Sequence, residues 1–192
     1  MDVTYIDKLG TDLTVVNAAR VSFSKTSEFE GDELPEKDKK LIRFLAQHNH
    51  WSPFAHAQIQ FRVKAPVFVA RQLVKHQVGG VWNEVSRRYV DSIPEFYWPD
   101  KWRGRPLDKK QGSEEGVFID TLATRNVQGL VNQLVDLYDQ LIKDGVAPEQ
   151  ARMVLPQNMY TEWYWTGSVY FFARVAKLRT KSDAQEETRF IA

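Results

Sequence analysis

Residues 65–90, APVFVARQLVKHQVGGVWNEVSRRYV, decide how this chain is read. Pro66 presets φ and lacks an N–H that a first helical turn would leave unpaired anyway, so it suits a helix start. The apolar spacing after it predicts a helix through about His76, broken by Gly79-Gly80. On that helix Arg71 and Lys75 stand four apart, as do Gln72 and His76. Like charges at that spacing destabilise an isolated helix by a few tenths of a kcal/mol, a penalty that a bound anion removes. Two readings stand side by side: a solvated basic face, or an anion site completed by backbone N–H groups of the glycine turn. The run 83–89 then mixes Glu84, Ser86, Arg87 and Arg88. If extended, it puts Glu84, Ser86 and Arg88 on one face and Asn83, Val85, Arg87 and Tyr89 on the other. That set fits either a nucleotide or an edge strand laced with ion pairs.

Working outward, residues 57–63 alternate cleanly, with Ile59, Phe61 and Val63 on one face and Gln58, Gln60 and Arg62 on the other, which predicts a half-buried strand. Residues 2–6 read as a short strand, and Thr11 or Asp12 as the N-cap of a helix carrying Val15, Val16 and Ala19. Residues 25–38 read as an exposed connection, and Pro35 opens a helix with Leu41, Ile42 and Leu45 as its stripe. Residues 97–116 have no period and much Pro, Gly and charge, so they read as a long loop. Residues 122–142 predict the longest helix, with Leu130, Leu134, Leu137 and Leu141 on one face and Gly145 as the stop. A short helix from Pro148 through Arg152, an aromatic strand over 158–165, a helix over 170–178 and a charged tail complete the chain. Trp163, Tyr164 and Trp165 alternate along that strand and read mostly as core.

The chain has 192 residues, 43% hydrophobic and 12% aromatic, enough for one domain with a real core. A net charge of +1 argues against a dedicated nucleic-acid binder. No apolar run approaches the length of a membrane span and no signal-peptide pattern is seen, so a soluble cytoplasmic protein with no membrane partner is expected. There is no cysteine, hence no disulfide, no thiolate metal site and no thiol nucleophile. His50 and His56 lack the Cys or Glu neighbours of a metal site, and no metal is expected. No G-x-G-x-x-G fingerprint or Walker-type phosphate loop occurs. Elements of both kinds alternate irregularly, against a doubly wound sheet.

Lys75-His76-Gln77, a spacer ending Asn83-Glu84, then Ser86, Arg88 and Tyr89, resembles the signature of the flavin-dependent thymidylate synthases, the ThyX family. The segment Ala18-Ala19-Arg20-Val21-Ser22-Phe23 is similar to that family's N-terminal block. His50-Trp51-Ser52-Pro53-Phe54-Ala55-His56 is similar to its His-x-[Ser/Thr]-Pro-Phe-x-His stretch. Ala151-Arg152, Leu155-Pro156, Asn158 and Tyr160-Thr161 resemble its substrate segment, and Leu178-Arg179 with Ser182-Asp183-Ala184-Gln185 its closing motif. These blocks follow the family's order and cover nearly the whole chain, except the loop around Trp102.

The resemblance implies an α+β, ThyX-like mixed fold with an antiparallel or mixed sheet and long helices, one catalytic domain over 1–192, and a homotetramer with active sites at subunit interfaces. It implies reductive methylation of dUMP to dTMP without an enzyme nucleophile, with methylenetetrahydrofolate as carbon donor, reduced FAD as hydride source and NADPH as reductant. By that resemblance Arg71, Gln72, Glu84, Ser86, Arg87, Arg88 and Arg152 hold dUMP, and Arg179 is catalytic, set against a uracil carbonyl. FAD would lie at Ser22, Ser52, Lys75, His76, Gln77, Val78, Asn83 and Arg174, with His50 near folate and flavin. The zero cysteine count agrees with a mechanism that uses no thiol. The chain departs from the pattern at Lys75 and Gln77, where arginine is usual, and at Ala55, Ser168, Tyr170, Arg174 and Asp183. Alternatives on the same scaffold are a non-catalytic dUMP-binding homologue and a dUMP hydroxymethylating enzyme.

Overall fold

Gln58–Pro66 and Tyr160–Ser168 pair antiparallel along their full lengths, from Gln58↔Ser168 to Pro66↔Tyr160. Their inward residues meet across the ladder, Val63 opposite Trp163 and Phe61 opposite Trp165. Such cross-strand aromatic and β-branched pairs are the unit of sheet stability. The alternation is strict: Trp163 is 1% exposed while Tyr164 is 45% exposed.

Around this pair the computed structural model, which describes residues 1–107, 110–116 and 121–192, arranges thirteen named elements. The first half comprises β1 (Asp2–Leu9), α1 (Asp12–Arg20), α2 (Glu36–Gln47), β2 (Gln58–Pro66), α3 (Val67–Leu73) and β3 (Gly80–Glu84). The second comprises β4 (Arg103–Gly104), β5 (Glu114–Gly116), α4 (Thr121–Lys143), α5 (Pro148–Ala151), β6 (Tyr160–Ser168), α6 (Val169–Arg179) and α7 (Glu186–Ile191). The main sheet has the order β1-β2-β6-β3 with every pairing antiparallel. The α+β class with an antiparallel sheet therefore holds.

Both central strands run into helices without a loop. Pro66 ends β2 and precedes α3; Ser168 ends β6 and caps α6, its hydroxyl accepting the Phe171 N–H at 3.1 Å. An N-cap side chain satisfies one of the orphan donors of a first turn, so Ser168 has a structural reason to be serine. The core lies where α3, α6 and α7 cover one sheet face: Val63, Ala65, Val69, Ala70, Leu73, Trp163, Trp165, Phe171, Val175 and Ile191. Trp82 of β3 stacks on Trp163 with ring centroids 4.2 Å apart, and Phe171 stands edge-on to Trp165 at 5.5 Å. Phe171 also explains two glycines. A Cβ on Gly80 or Gly167 would collide with its ring.

Several expectations are corrected. Helix α3 stops at Leu73, not His76: the His76 N–H turns back to the Leu73 carbonyl at 3.0 Å because β3 must begin at Gly80. Lys75 is therefore off the helix, and its spacing from Arg71 carries no helical penalty. Strand β3 ends at Glu84, and the Tyr89 and Val90 N–H groups both bond the Ser86 carbonyl, at 3.0 and 3.1 Å. Ser86, Arg87 and Arg88 thus lie in a turn, and the two-face reading fails beyond Glu84. The expected loop over 97–116 contains the β4–β5 hairpin, with strands too short to show a period; its positions 108 and 109 lie outside the described residues. The tail contains α7, hidden because its buried positions include Glu187 and Thr188. Among the α4 residues whose burial is described, the buried positions are Val131 and Tyr138, the latter 1% exposed, whereas Leu130 and Leu137 of the expected stripe are 60% and 45% exposed. The first strand runs on to Leu9. Thr11 is the N-cap of α1, its N–H bonded to Thr14 Oγ1 at 3.0 Å, and α2 follows Pro35 as expected. Among the described residues no helix is long and apolar enough to cross a membrane.

The Phe171 packing generates a stability prediction. Gly167→Ala should cost about 1–3 kcal/mol through overpacking, read as a fall in the urea midpoint. Phe171→Leu in the same chain should return part of that loss, and strict additivity of the two changes would contradict the clash.

Candidate active site

Arg179 ends α6 and reaches a cleft of about 760 Å3 that Gln72, Asn158, Gln185 and the β4–β5 hairpin also line. Its Nε donates to His76 Nε2 at 2.9 Å and its Nη2 to the Gln72 carbonyl at 3.4 Å. A guanidinium has no acceptor to give, so this geometry makes His76 Nε2 the acceptor and leaves the ring proton on Nδ1. Burial, and then the charges of Arg179 and Arg174, push the His76 pKa below its ordinary value, which favours that neutral form. The Arg179 side chain is thus oriented by an uncharged partner and keeps its full positive charge for the cleft.

Gln72 is held from three sides. Its amide nitrogen donates to Gln185, its amide oxygen accepts from Thr188 Oγ1 at 3.2 Å, and its carbonyl accepts from Arg179. Glu187 stands behind Gln185, buried at 4% exposure, and accepts from Arg103, from Tyr97 Oη at 3.2 Å and from Gln185 at 3.0 Å. Burial alone would raise the Glu187 pKa. Hydrogen bonds from Arg103, from its own backbone N–H and from Gln185, with the Arg103 charge, outweigh it and hold the carboxyl below its ordinary value. Tyr97 is pushed up to about 12, first by burial and then by the Glu187 charge.

A second group lies where β3 ends. Glu84 accepts from Thr161 Oγ1 at 2.7 Å on one oxygen and from Trp82 Nε1 at 3.0 Å on the other. Ser86 Oγ accepts the Arg88 N–H at 3.3 Å, and Arg87 bonds the Ser92 carbonyl. Arg88 pairs with the Glu149 carboxylate at 3.4 Å while Arg152 Nε bonds the Glu149 carbonyl at 3.2 Å. Two guanidinia from distant parts of the chain therefore converge at the start of α5. Arg71 is exposed on α3.

A third group lines a separate cleft of about 570 Å3, where Ser22, His50 and Ser52 meet Arg20, Phe23, Phe44 and Trp51. His50 stands edge-on to Phe44 at 5.9 Å. Trp51 packs on Tyr170 at 5.7 Å, and Arg174 lies over the Tyr170 ring at 5.7 Å, which joins this cleft to α6. Arg20 bonds the buried Asp38, and this ion pair fixes the wall of the cleft. Lys75, Gln77 and Val78 are exposed on the turn before β3, as is Asn83 on that strand. Among the described residues no direct hydrogen bond or ion pair joins this third group to Arg179 or to Arg88. Nor does any cluster of three or more His, Cys, Asp or Glu stand where it could hold a metal ion.

Thr161, Glu149, Arg103, Tyr97, Glu187 and Thr188 were not singled out from sequence as site residues. Thr161 lies within a motif block and Glu187 two residues beyond one, so their place beside those motifs was the available signal. Arg103 lies in an unpatterned run and offered none.

Residues 4–192 match the family described as thymidylate synthase complementing protein. The chain is 39% identical over 190 residues to the flavin-dependent thymidylate synthase of Kosmotoga olearia, covering 96% of this chain and 79% of that protein. To the flavin-dependent thymidylate synthase of Thermus thermophilus it is 40% identical over 187 residues, covering 97% of this chain and 67% of that protein. Among solved structures, the UMP/dUMP methylase PolB from Streptomyces cacaoi, bound with 5-Br dUMP, superposes with a TM-score of 0.84 at 32% identity, over 100% of this chain and 86% of that one. The order of the sequence blocks, the antiparallel sheet with its directly attached helices, and these likenesses agree: the chain belongs to the thymidylate synthase complementing protein family, that of the flavin-dependent thymidylate synthases.

Proposed function

We propose that this enzyme, a flavin-dependent thymidylate synthase, methylates dUMP reductively to dTMP. The observation that carries the reading is the Arg179–His76–Gln72 arrangement in the larger cleft, in a chain 39% identical to an enzyme of that name. Arg179, set against a uracil carbonyl, lowers the energy of negative charge as it builds on that oxygen. His76, neutral and accepting from Nε, keeps the guanidinium aimed. Arg88 and Arg152, converging on Glu149, suit the nucleotide phosphate, for which paired guanidinia are well shaped. Ser86, Arg87 and Arg71 complete the proposed phosphate and sugar contacts. Glu84, held by Thr161 and Trp82, and Gln72, held by Gln185 and Thr188, supply acceptors and donors that cannot swing away.

The donors present fit FAD. Ser22, Ser52, Lys75, Gln77 and Arg174 provide hydroxyls, an amide and cations for phosphates, while the exposed Phe23, Trp51 and Val78 offer apolar surface for a planar ring. When bound there, the flavin would supply the hydride; separately, a chain without cysteine has no thiol to bind the pyrimidine covalently. Lys75 and Gln77 bring fewer bidentate donors than the arginines usual in the family, so we assign a larger share of phosphate binding to Arg174. His50, at the edge of the smaller cleft, is assigned to the folate and flavin side. Methylenetetrahydrofolate as carbon donor, NADPH as reductant and a cytoplasmic location belong to the same reading.

We further propose that the 192 residues act as one catalytic domain within a homotetramer. The outward leucines of α4, Leu130 and Leu137, and the exposed Tyr5 and Leu9 of edge strand β1 are apolar surface that a second copy would cover. The three groups of site residues, apart within one chain, would then meet across an interface.

The first test is the visible spectrum of the protein with FAD, before and after dUMP. A bound flavin whose spectrum shifts with dUMP is expected; flavin-free protein that still binds dUMP would instead identify a non-catalytic homologue. Arg179→Ala should abolish turnover while the flavin remains bound, and unchanged turnover would remove Arg179 from the chemistry. Arg152→Ala should mainly raise the dUMP requirement, by roughly tenfold to a hundredfold for a lost charge-assisted contact, with little change in saturated rate.

A further inference from the structure

The β4–β5 hairpin walls the larger cleft, and the family resemblance assigns it nothing. Arg103 is the residue that ties it down. Its Nε donates to Ser113 Oγ at 2.9 Å, closing the hairpin, and its Nη2 donates to both carboxylate oxygens of Glu187, at 2.6 and 2.7 Å. Just before β5, Gly112 has φ +88°, and a Cβ there would lie 3.4 Å from the Asp183 backbone, so the chain at Gly112 passes close to the segment before α7. From Glu187 the contacts continue inward. Gln185 Nε2 donates to Glu187 at 3.0 Å, Gln72 donates to Gln185, and the Gln72 carbonyl accepts from Arg179 Nη2 at 3.4 Å. The path from the hairpin to Arg179 is therefore an unbroken series of polar contacts, and Phe68 and Tyr97, whose rings meet edge-on at 5.9 Å, line the same cleft.

We propose that Arg103 is a positioning residue of the active site: by docking the hairpin on Glu187 it presents Gln72 and Arg179 to a pyrimidine nucleotide in one fixed arrangement. This rests on the dUMP reading of the cleft. Arginine is required because one side chain must satisfy two sites. A lysine ammonium reaches Glu187 but cannot also hold Ser113 from a second nitrogen. Glutamine in its place leaves the buried Glu187 charge without its cation, and that carboxylate then competes for Gln185 and draws it away from Gln72.

The test uses the full chain carrying Arg103→Gln or Arg103→Lys, with dUMP titrated calorimetrically, kcat and KM measured separately, and amide hydrogen exchange followed by segment. In Arg103→Gln the dUMP Kd should rise roughly tenfold to a hundredfold, with faster exchange confined to residues 72–73 and 183–188. Arg103→Lys should recover part of the affinity. Tyr97→Phe, which removes one donor to Glu187 and keeps the ring, should shift affinity in the same direction by less; it serves if Arg103→Gln does not fold. Wild-type affinity in Arg103→Gln, or in Tyr97→Phe where that variant stands in, overturns the proposal. So does a loss that lysine does not relieve and that accompanies faster exchange throughout the chain, since that is a purely structural role. If the unmodified protein binds no dUMP, the functional reading fails separately. The exchange pattern then decides by itself whether Arg103 orders Gln72 and the start of α7.

Discussion

Strands β2 and β6 pair along their whole lengths, and each continues into a helix with no intervening loop. An antiparallel pair with a helix issuing from each strand sends those helices off from opposite ends of the ladder. The helices then return across the same sheet face over Trp163, Trp165 and Val63, where α7 joins them. Burial of these large aromatics contributes on the order of 1.5–3 kcal/mol each, enough that the helix positions follow from the strand register. A one-residue slip would turn Trp163 and Trp165 to solvent and Tyr164 and Thr166 inward. The C-terminal ends of α3 and α6 meet as a result, and that meeting brings Arg179 to Gln72 and His76.

The electrostatics of the cleft follow from where charge is absent as much as from where it stands. Arg174 and Arg179 face a histidine whose burial and cationic neighbours disfavour a third positive charge. A neutral His76 can accept from Arg179; a protonated one could only repel it. Glu187, which lines the same cleft, is ionised despite its burial because hydrogen bonds from Arg103, its own backbone N–H and Gln185, with the Arg103 charge, outweigh that burial. The Arg179 cation thus meets an uncharged acceptor, has no counter-ion of its own in direct contact among the described residues, and shares the cleft with a carboxylate that Arg103 already pairs. A site arranged in this way is suited to negative charge that arrives with a ligand or develops during reaction.

Much of this fold was legible because its central elements have strong periods. The alternation around Ile59, Phe61 and Val63, the Trp163-Tyr164-Trp165 run, and Pro66 and Gly145 as helix punctuation all correspond to the structure. What was not legible depended on tertiary demands that local pattern does not carry. Helix α3 ends early because the chain must turn into β3. Ser86–Arg88 are in a turn because strand β3 loses its partner after Glu84↔Trp163. On α4 the apolar residues form two stripes, and only packing decides that Val131 and Tyr138 go inward while Leu130 and Leu137 stay out. Helix α7 was missed because hydrogen bonds to Gln72, Arg103 and Tyr97, rather than an apolar stripe alone, justify burying Thr188 and Glu187. The motif blocks named Gln72, His76 and Arg179, which the fold brings into contact, but gave no view of the residues behind them.

The proposed ligand residues fall into three groups within one chain, and the reason is geometric. Ser22, His50 and Ser52 belong to the α1–α2 side, Arg88 and Arg152 to the far end of β3 and the start of α5, and Arg179 to the end of α6. Neither cleft, of about 760 and 570 Å3, is lined by residues of all three groups. Arg71, Lys75 and Arg88, none of which is among the residues lining either cleft, are solvent-exposed, where a site that excludes water would need them covered. The outward Leu130 and Leu137 and the unpartnered edge of β1 are the surfaces able to recruit that cover. Under the proposed assembly, a second copy laid over that exposed apolar surface would also be what keeps water from a reduced flavin.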